Sequence, residues 1–290
     1  MANVFKGDSS IIGLRDRYYK ASVGKESLIN MISEAEVSEQ VYNSNAIENS
    51  TLSLDETDRI LLELDLQRFV SQREQFEAIN LAKIVGYIKQ KAPQTQISFD
   101  IILALHKILL TNINDGVAGR FRKENEWVRV GSHIAVNPLE IEDRLNAILL
   151  AYKANISDSI VEKIAKFHLG FEYIHPFVDG NGRIGRVLNN YLLIQDGFVP
   201  INIKFRDRGE YYEAFREFED TKKTKTMERL VSLSLTNSYH KRLAYLENKS
   251  IIDLKEYARI NKTSLSNIIN KANRQTIEAF TEKGEWRIGV

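Results

Sequence analysis

The chain has 290 residues, 43% hydrophobic and 27% charged, enough to bury a substantial core in one large domain or two unequal ones. Forty basic against thirty-nine acidic side chains leave a formal net charge of +1, which excludes recruitment of nucleic acid or an anionic membrane by an overall field and leaves only local patches for such binding. Zero cysteines exclude disulfides and thiolate chemistry. The opening "MANVFKGDSS" has no apolar core of signal-peptide length, and no apolar run approaches the ~20 residues that cross a bilayer, so the sequence predicts a soluble, cytoplasmic protein with no membrane partner.

Helical periodicity dominates, with only four prolines in the chain. Amphipathic runs are "ESLINMISEAEVSEQVYNSNAIE" from Glu26, one long run from Asp55 to Gln90, and "FDIILALHKILLTNI" from Phe99. In "EWVRVGSHIAV" two short β-branched runs flank Gly131 and Ser132, a pair suited to a type II′ turn, which predicts a hairpin from Trp127 to Val136. Helices follow over "IEDRLNAILLAYKAN", "SDSIVEKIAKFHLGFEYI" and "GRIGRVLNNYLLIQDG". After a further helix, "DLKEYARINKTSLSNIINKANRQTIEAF" predicts a short helix, a turn at Asn261 and Lys262 and a longer helix, and "TEKGEWRIG" a glycine hairpin. The fold class expected is mostly α.

Between two of these helices stands "HPFVDGNGRIGR", residues 175 to 186. The loop precedes a helix, whose first N–H groups are unpaired and whose dipole presents its positive end. Gly180 and Gly182 permit backbone angles that turn successive N–H groups toward one anion, and phosphate is the obvious guest. Arg183 and Arg186 lie three residues apart on one helix face and lean back toward the loop. Asp179 supplies a hard oxygen for magnesium, and His175 can accept a proton near neutral pH. "GNGRIG" also fits a dinucleotide fingerprint, but that fingerprint needs a preceding strand, whereas "SIVEKIAKFHLGFEYI" has helical periodicity; a Walker loop would end in Gly-Lys-Ser/Thr, which is absent.

The twelve residues match, position for position, the signature His-Pro-Phe-x-Asp/Glu-Gly-Asn-Gly-Arg-x-x-Arg of the Fic (filamentation induced by cAMP) family, and the resemblance extends over about residues 95 to 215. It implies a Fic-type helical bundle that transfers AMP from ATP to a Tyr, Ser or Thr hydroxyl of a protein, itself included, with Mg2+ as the metal. His175 would be the base and Asp179 the magnesium ligand. Gly180, Asn181 and Gly182 would form the anion hole, and Arg183 and Arg186 would hold the outer phosphates. The hairpin, with Trp127, Val128, Arg129, Val130, Gly131, Ser132 and His133, resembles the family's flap for an extended target segment; otherwise it is a structural hairpin.

"SNAIEN" resembles the family's inhibitory pattern, with Ser44, Glu48 and Asn49 at its defining positions; Glu48 would pair with Arg186, unless it is simply a solvated helix charge. Tyr211 and Tyr212 in "EYYEAF" would lie on the adenine side or pack helices. His106 and His168 sit in apolar helical patterns without metal-ligand spacing and are expected to be hydrogen-bonded core histidines.

The C-terminal segment resembles a small winged helix-turn-helix domain of the excisionase or MerR-like sort, on "EYAR", "RQTIEAF" and "GEWRIG". If residues 250–290 bind DNA, Ser266, Asn267, Asn270, Lys271 and Arg274 would face it; a protein partner or homodimerisation is the other use. The expected organisation is a helical regulatory region over 1–94, a catalytic core over 95–228 and the winged domain over 229–290. Besides an autoinhibited AMP transferase, two functions stay open: a DNA-binding regulator that senses nucleotide, and an enzyme that removes AMP.

Overall fold

A computed structural model describes residues 5–131 and 133–290. They are predominantly helical, with two small antiparallel sheets, and divide into two compact units. One unit is Val37–Leu230; the other combines residues up to Glu36 with Val231–Val290. No helix among the described residues is long and apolar enough to cross a membrane.

The terminal unit begins with α1 (Phe5–Ser22), which no sequence pattern singled out, and α2 (Glu26–Ala35). The run predicted from Glu26 as one helix is interrupted at Glu36, whose carboxylate is buried against Arg242 (2.5 Å). The second unit then supplies α3 (Val37–Ile47), α4 (Leu54–Leu61), α5 (Gln72–Lys91), α6 (Phe99–Leu110), the hairpin strands β1 (Arg129–Val130) and β2 (His133–Ile134), α7 (Ile141–Ala154), α8 (Ile160–Ile174), α9 (Asn181–Gln195) and α10 (Arg208–Thr221).

The predicted run from Asp55 to Gln90 is also two helices, α4 and α5, joined by residues 62–71. Local capping overrides periodicity here. Ser53 and Glu56 form a capping box on α4, Arg68 reaches back to Glu56 (2.5 Å) and to the Thr51 carbonyl (3.1 Å), and Ser71 caps α5 by accepting from the Glu74 N–H. The apolar side chains that extended the pattern, Leu62, Leu64 and Phe69, are exposed.

α8 and α9 pack at the centre of this unit. α8 starts at a Ser159/Glu162 capping box and buries Ile160, Ile164, Phe167 and Phe171; α9 is buried almost all round, with Ile184, Leu188, Tyr191 and Leu192 inaccessible to solvent. These two helices carry the loop of residues 175–180 between them.

α11 (Lys225–Leu246) leads into β3 (Ile251–Asp253), α12 (Leu254–Ile260), α13 (Leu265–Asn273), β4 (Ala279–Glu282) and β5 (Glu285–Gly289). The predicted turn between the two short helices contains Lys262 at φ 50°, and the predicted glycine hairpin turns at Lys283 and Gly284. β3 pairs with β5 in the order β3-β5-β4, a strand too short to leave a periodic signal. Leu254, Ala258, Ile268, Ala272, Ala279 and Ile288 form the core of this helix pair and sheet.

Candidate active site

His175 ends α8 in the left-handed conformation at φ 50°, so the chain reverses there. The turn into α9 is held from three sides. The Asn181 side chain bonds both the N–H (2.9 Å) and the carbonyl (2.8 Å) of Phe177. The His106 ring stacks on Phe177 at 3.7 Å, accepts from the Gly119 N–H at Nδ1 and donates from Nε2 to the Asp179 carbonyl. Burial holds His106 down to about 4, so it stays in this neutral tautomer. Gly180 caps α9 at φ 84°, where a β-carbon would press to 2.9 Å from Leu109 Cδ2. No side chain caps α9, and its first-turn N–H groups keep their anion-binding character.

A carboxylate already lies there. Glu48 Oε1 accepts from Arg186 Nη2 at 2.9 Å, and a β-carbon on Gly182 would overlap that same oxygen. Arg186 is 7% exposed and fully engaged: Nε donates to Ser44 Oγ (3.0 Å), Nη2 also to the Ser44 carbonyl (2.8 Å), and Nη1 to the Tyr211 hydroxyl (3.1 Å). His168 Nε2 meets the same hydroxyl at 2.8 Å, so this buried histidine braces Tyr211 as a core residue. Asn49 takes φ 70°, which asparagine tolerates, and accepts from Arg208 (2.6 Å); Tyr212 donates to the Ile47 carbonyl (3.1 Å). The residues of "SNAIEN" and the paired tyrosines, more than 150 residues apart in sequence, thus meet at one arginine and the end of α3.

Burial lowers His175 to about 4, leaving its imidazole neutral and able to accept a proton. Nδ1 lies 3.8 Å from Glu172 Oε2. Glu172 itself is pushed up to about 8, by burial first and then by the Glu48 carboxylate, so it is mostly protonated at neutral pH. Arg122, 4% exposed, fixes this end of α8 from a loop: its guanidinium donates to the carbonyls of His175 (2.8 Å), Glu126 (2.9 Å) and Val136 (2.9 Å). Arg122→Ala would remove the donor to these three carbonyls and to that of Ile174 (3.4 Å), and is expected to destabilise the protein by roughly 3 kcal/mol, read as a lower urea midpoint with unchanged slope.

Asp179 turns both carboxylate oxygens toward guanidinium groups, Oδ2 to Arg73 (2.9 Å) and Oδ1 to Arg183 (3.3 Å). Such a hard, partly exposed oxygen pair fits magnesium, which completes its shell with phosphate oxygens and water. Among the described residues no group of three or more His, Asp or Glu is arranged to hold a metal alone.

A cavity of about 490 Å³ opens over His175, Glu48 and Gly182, walled by Tyr211, Tyr212, Phe215 and the hairpin residues Val130, Gly131 and His133. The hairpin pairs Arg129 with Ile134 and Val130 with His133, turning through Gly131 at φ 60°; Ala135 N–H donates to the Val128 carbonyl. Trp127, Val130 and Ile134 are 58%, 40% and 62% exposed. His133 stacks on Tyr173 at 4.2 Å and its Nε2 meets the Tyr173 carbonyl at 2.9 Å, which ties the hairpin to α8 two residues before His175. Ser132, expected in the same flap, lies outside the described residues.

Residues 96–193 match the model of the Fic/DOC family. The chain carries a Fic domain. The protein adenylyltransferase Fic of Nematostella vectensis is 34% identical over 204 residues, 69% of this chain and 47% of that protein. An Aquifex aeolicus protein named "Probable protein adenylyltransferase" is 27% identical over 91% of this chain and 88% of its own length. The solved structure of residues 134–508 of Fic-1 from C. elegans has a TM-score of 0.71 at 26% identity, covering 82% of this chain and 70% of that one. The chain spans about half the length of the first curated relatives it matches.

The site also draws on side chains that the sequence pattern did not single out, two within the matched residues 96–193 and two on α5 ahead of them. Arg122 and Glu172 act at His175, and Arg73 and Glu77 of α5 act at Asp179 and Arg183. The one available signal was length: a 20-residue helix ahead of the motif had to pack somewhere.

Proposed function

We propose that this protein transfers AMP from ATP to a Tyr, Ser or Thr hydroxyl of a protein, itself among the candidates, and that Glu48 restrains the reaction. The observation that carries this is a neutral histidine beside an uncapped helix N-terminus and two arginines, with a carboxylate seated where a phosphate would bind. His175 takes the proton of the target hydroxyl at Nε2, since Nδ1 faces Glu172. The hydroxyl oxygen then bonds the α-phosphorus, the bond to the β-phosphate bridge breaks, and pyrophosphate leaves. The N–H groups around Gly180, Asn181 and Gly182 hold the α-phosphate, and Arg183 and Arg186 the outer ones. Asp179 would hold Mg2+, which neutralises phosphate charge when bound.

The hairpin from Trp127 aligns an extended target segment by main-chain bonds, for which its exposed strands leave room. Tyr211 and Tyr212 wall the nucleotide side of the cavity. Ser44 and Asn49 shape the turn that presents Glu48. We read residues 1–94 as regulatory and 95–228 as the catalytic core, in a cytoplasmic enzyme.

A second reading, a DNA-binding regulator, is favoured by one observation. α13 buries Ile268 and Ala272 and leaves Ser266, Asn267, Asn270, Lys271 and Arg274 exposed beside the β4–β5 hairpin, a layout suited to a winged helix-turn-helix within residues 229–290. The same face could serve a homodimer.

ATP labelled in turn at the α- and γ-phosphate separates the readings. Label reaching protein from the α position alone, weak in wild type, strong in Glu48→Gly and absent in Glu48→Gly/His175→Ala, is the expected result. Transfer from the γ position would mean a kinase-like reaction. No transfer from either would favour AMP removal or the regulator.

A further inference from the structure

Around Asp179 the chain closes a ring of four charges. Arg73 Nη2 meets Asp179 Oδ2 at 2.9 Å and Arg73 Nε meets Glu77 Oε1 at 3.1 Å; Arg183 Nη1 meets the same Glu77 oxygen at 3.1 Å and its Nη2 meets Asp179 Oδ1 at 3.3 Å. Two guanidiniums and two carboxylates cancel. The members are not equally held: the Arg183 side chain is 5% exposed and Glu77 12%, whereas Arg73 is 58% exposed and Asp179 32%. An exposed ion pair contributes little and exchanges readily, so Arg73 is the member that can be replaced.

We propose that Arg73 is a built-in cation stand-in at Asp179, the counterpart of the Glu48 anion stand-in at Arg186, so that the site is electrically complete before nucleotide arrives and the advantage of nucleotide that brings its own divalent cation is reduced. The two stand-ins have opposite signs and come from α5 and from the residue just after α3, neighbouring helices ahead of the motif. Glu48 lies over Gly182 at the start of α9, as a phosphate would; Arg73 lies on the free edge of the Asp179 carboxylate, as a metal ion would. Metal-free nucleotide meets an Asp179 that Arg73 still neutralises, and metal-bound nucleotide displaces a weakly held guanidinium. Arg73 therefore sets how strongly nucleotide binding depends on the metal. This rests on the reading of the site as one for MgATP.

The test is calorimetric binding of a non-hydrolysable ATP analogue to the full chain carrying Glu48→Gly, once with Mg2+ and once with EDTA; the quantity read is the ratio of the two dissociation constants. Arg73→Gln is expected to enlarge that ratio about three- to fivefold, the range set by an exposed ion pair, with Arg73→Lys in between. In an Asp179→Asn background Arg73→Gln is expected to change nothing, because the effect passes through that carboxylate. A ratio unmoved by Arg73→Gln, or an effect of equal size in the Asp179→Asn background, overturns the inference, the latter by placing Arg73 on the nucleotide itself. Failure of Glu48→Gly to bind the analogue in Mg2+ at all overturns the nucleotide reading and the inference together.

Discussion

Glu48→Gly is expected to raise AMP transfer by about five- to 150-fold, the span of one to three kcal/mol typical of the coupling between two binding events. The argument is electrostatic. Glu48 follows the last residue of α3, at the negative end of that helix, where a carboxylate is unfavourable by itself. It is kept there by what it faces: the Arg186 guanidinium at 2.9 Å and the positive first turn of α9 over Gly182. Those are the groups that the proposed reaction assigns to nucleotide phosphates. Removing the carboxylate leaves Arg186 still held by Ser44 and Tyr211, so the guanidinium keeps its place while its anion is gone. Steady-state transfer of α-labelled AMP, with analogue affinity measured in parallel, checks this; equal rates and equal affinities in both proteins would mean that the pair is structural. Glu48→Gln, which keeps the size and loses the charge, should fall between the two.

In the Glu48→Gly background, His175→Ala should lower kcat by about 10²- to 10⁴-fold, the usual contribution of a placed general base, and leave nucleotide affinity within about twofold. A loss of affinity equal to the loss of rate would instead make His175 a binding residue. The pH dependence follows from the environment. An exposed histidine would lose its basicity as pH falls through its usual 6.5; burial holds His175 down to about 4, so the transfer rate should be flat through pH 6 and fall only as pH approaches 4, where the ring takes up a proton and can accept no other. Glu172, raised to about 8, ionises on the alkaline side and adds a carboxylate 3.8 Å from Nδ1, so no loss of basicity is expected there. An acid limb centred near 6.5 would show that the ring is solvated in the working enzyme.

What could be read from the chain alone was chemistry compressed into consecutive residues. His175, Asp179, Gly180, Asn181, Gly182, Arg183 and Arg186 lie within twelve positions across a single helix start, so their grouping needs only local backbone geometry: a left-handed reversal, a glycine cap and a three-residue spacing. The same holds for the hairpin at Gly131 and the turn at Lys262.

The two long apolar runs misled because periodicity measures which faces can be buried, not where a helix stops; in the second, Arg68 folds the chain back onto Glu56 and Thr51 and Ser71 caps a new helix start, with Phe69 left in water. Apart from the Glu48–Arg186 pair, which the family resemblance implied, tertiary structure decided the partners. Arg73 finds Asp179 across 106 positions, Arg122 finds the carbonyl of His175 across 53, and Arg186 meets Ser44 across 142. A charged side chain carries no mark of the partner it will meet, since that choice is made by which helices pack together. For this protein, therefore, the grouping within the loop of residues 175–186 is written in the order of its residues, and the charges that meet it from outside are set by the packing of α3, α5 and α9.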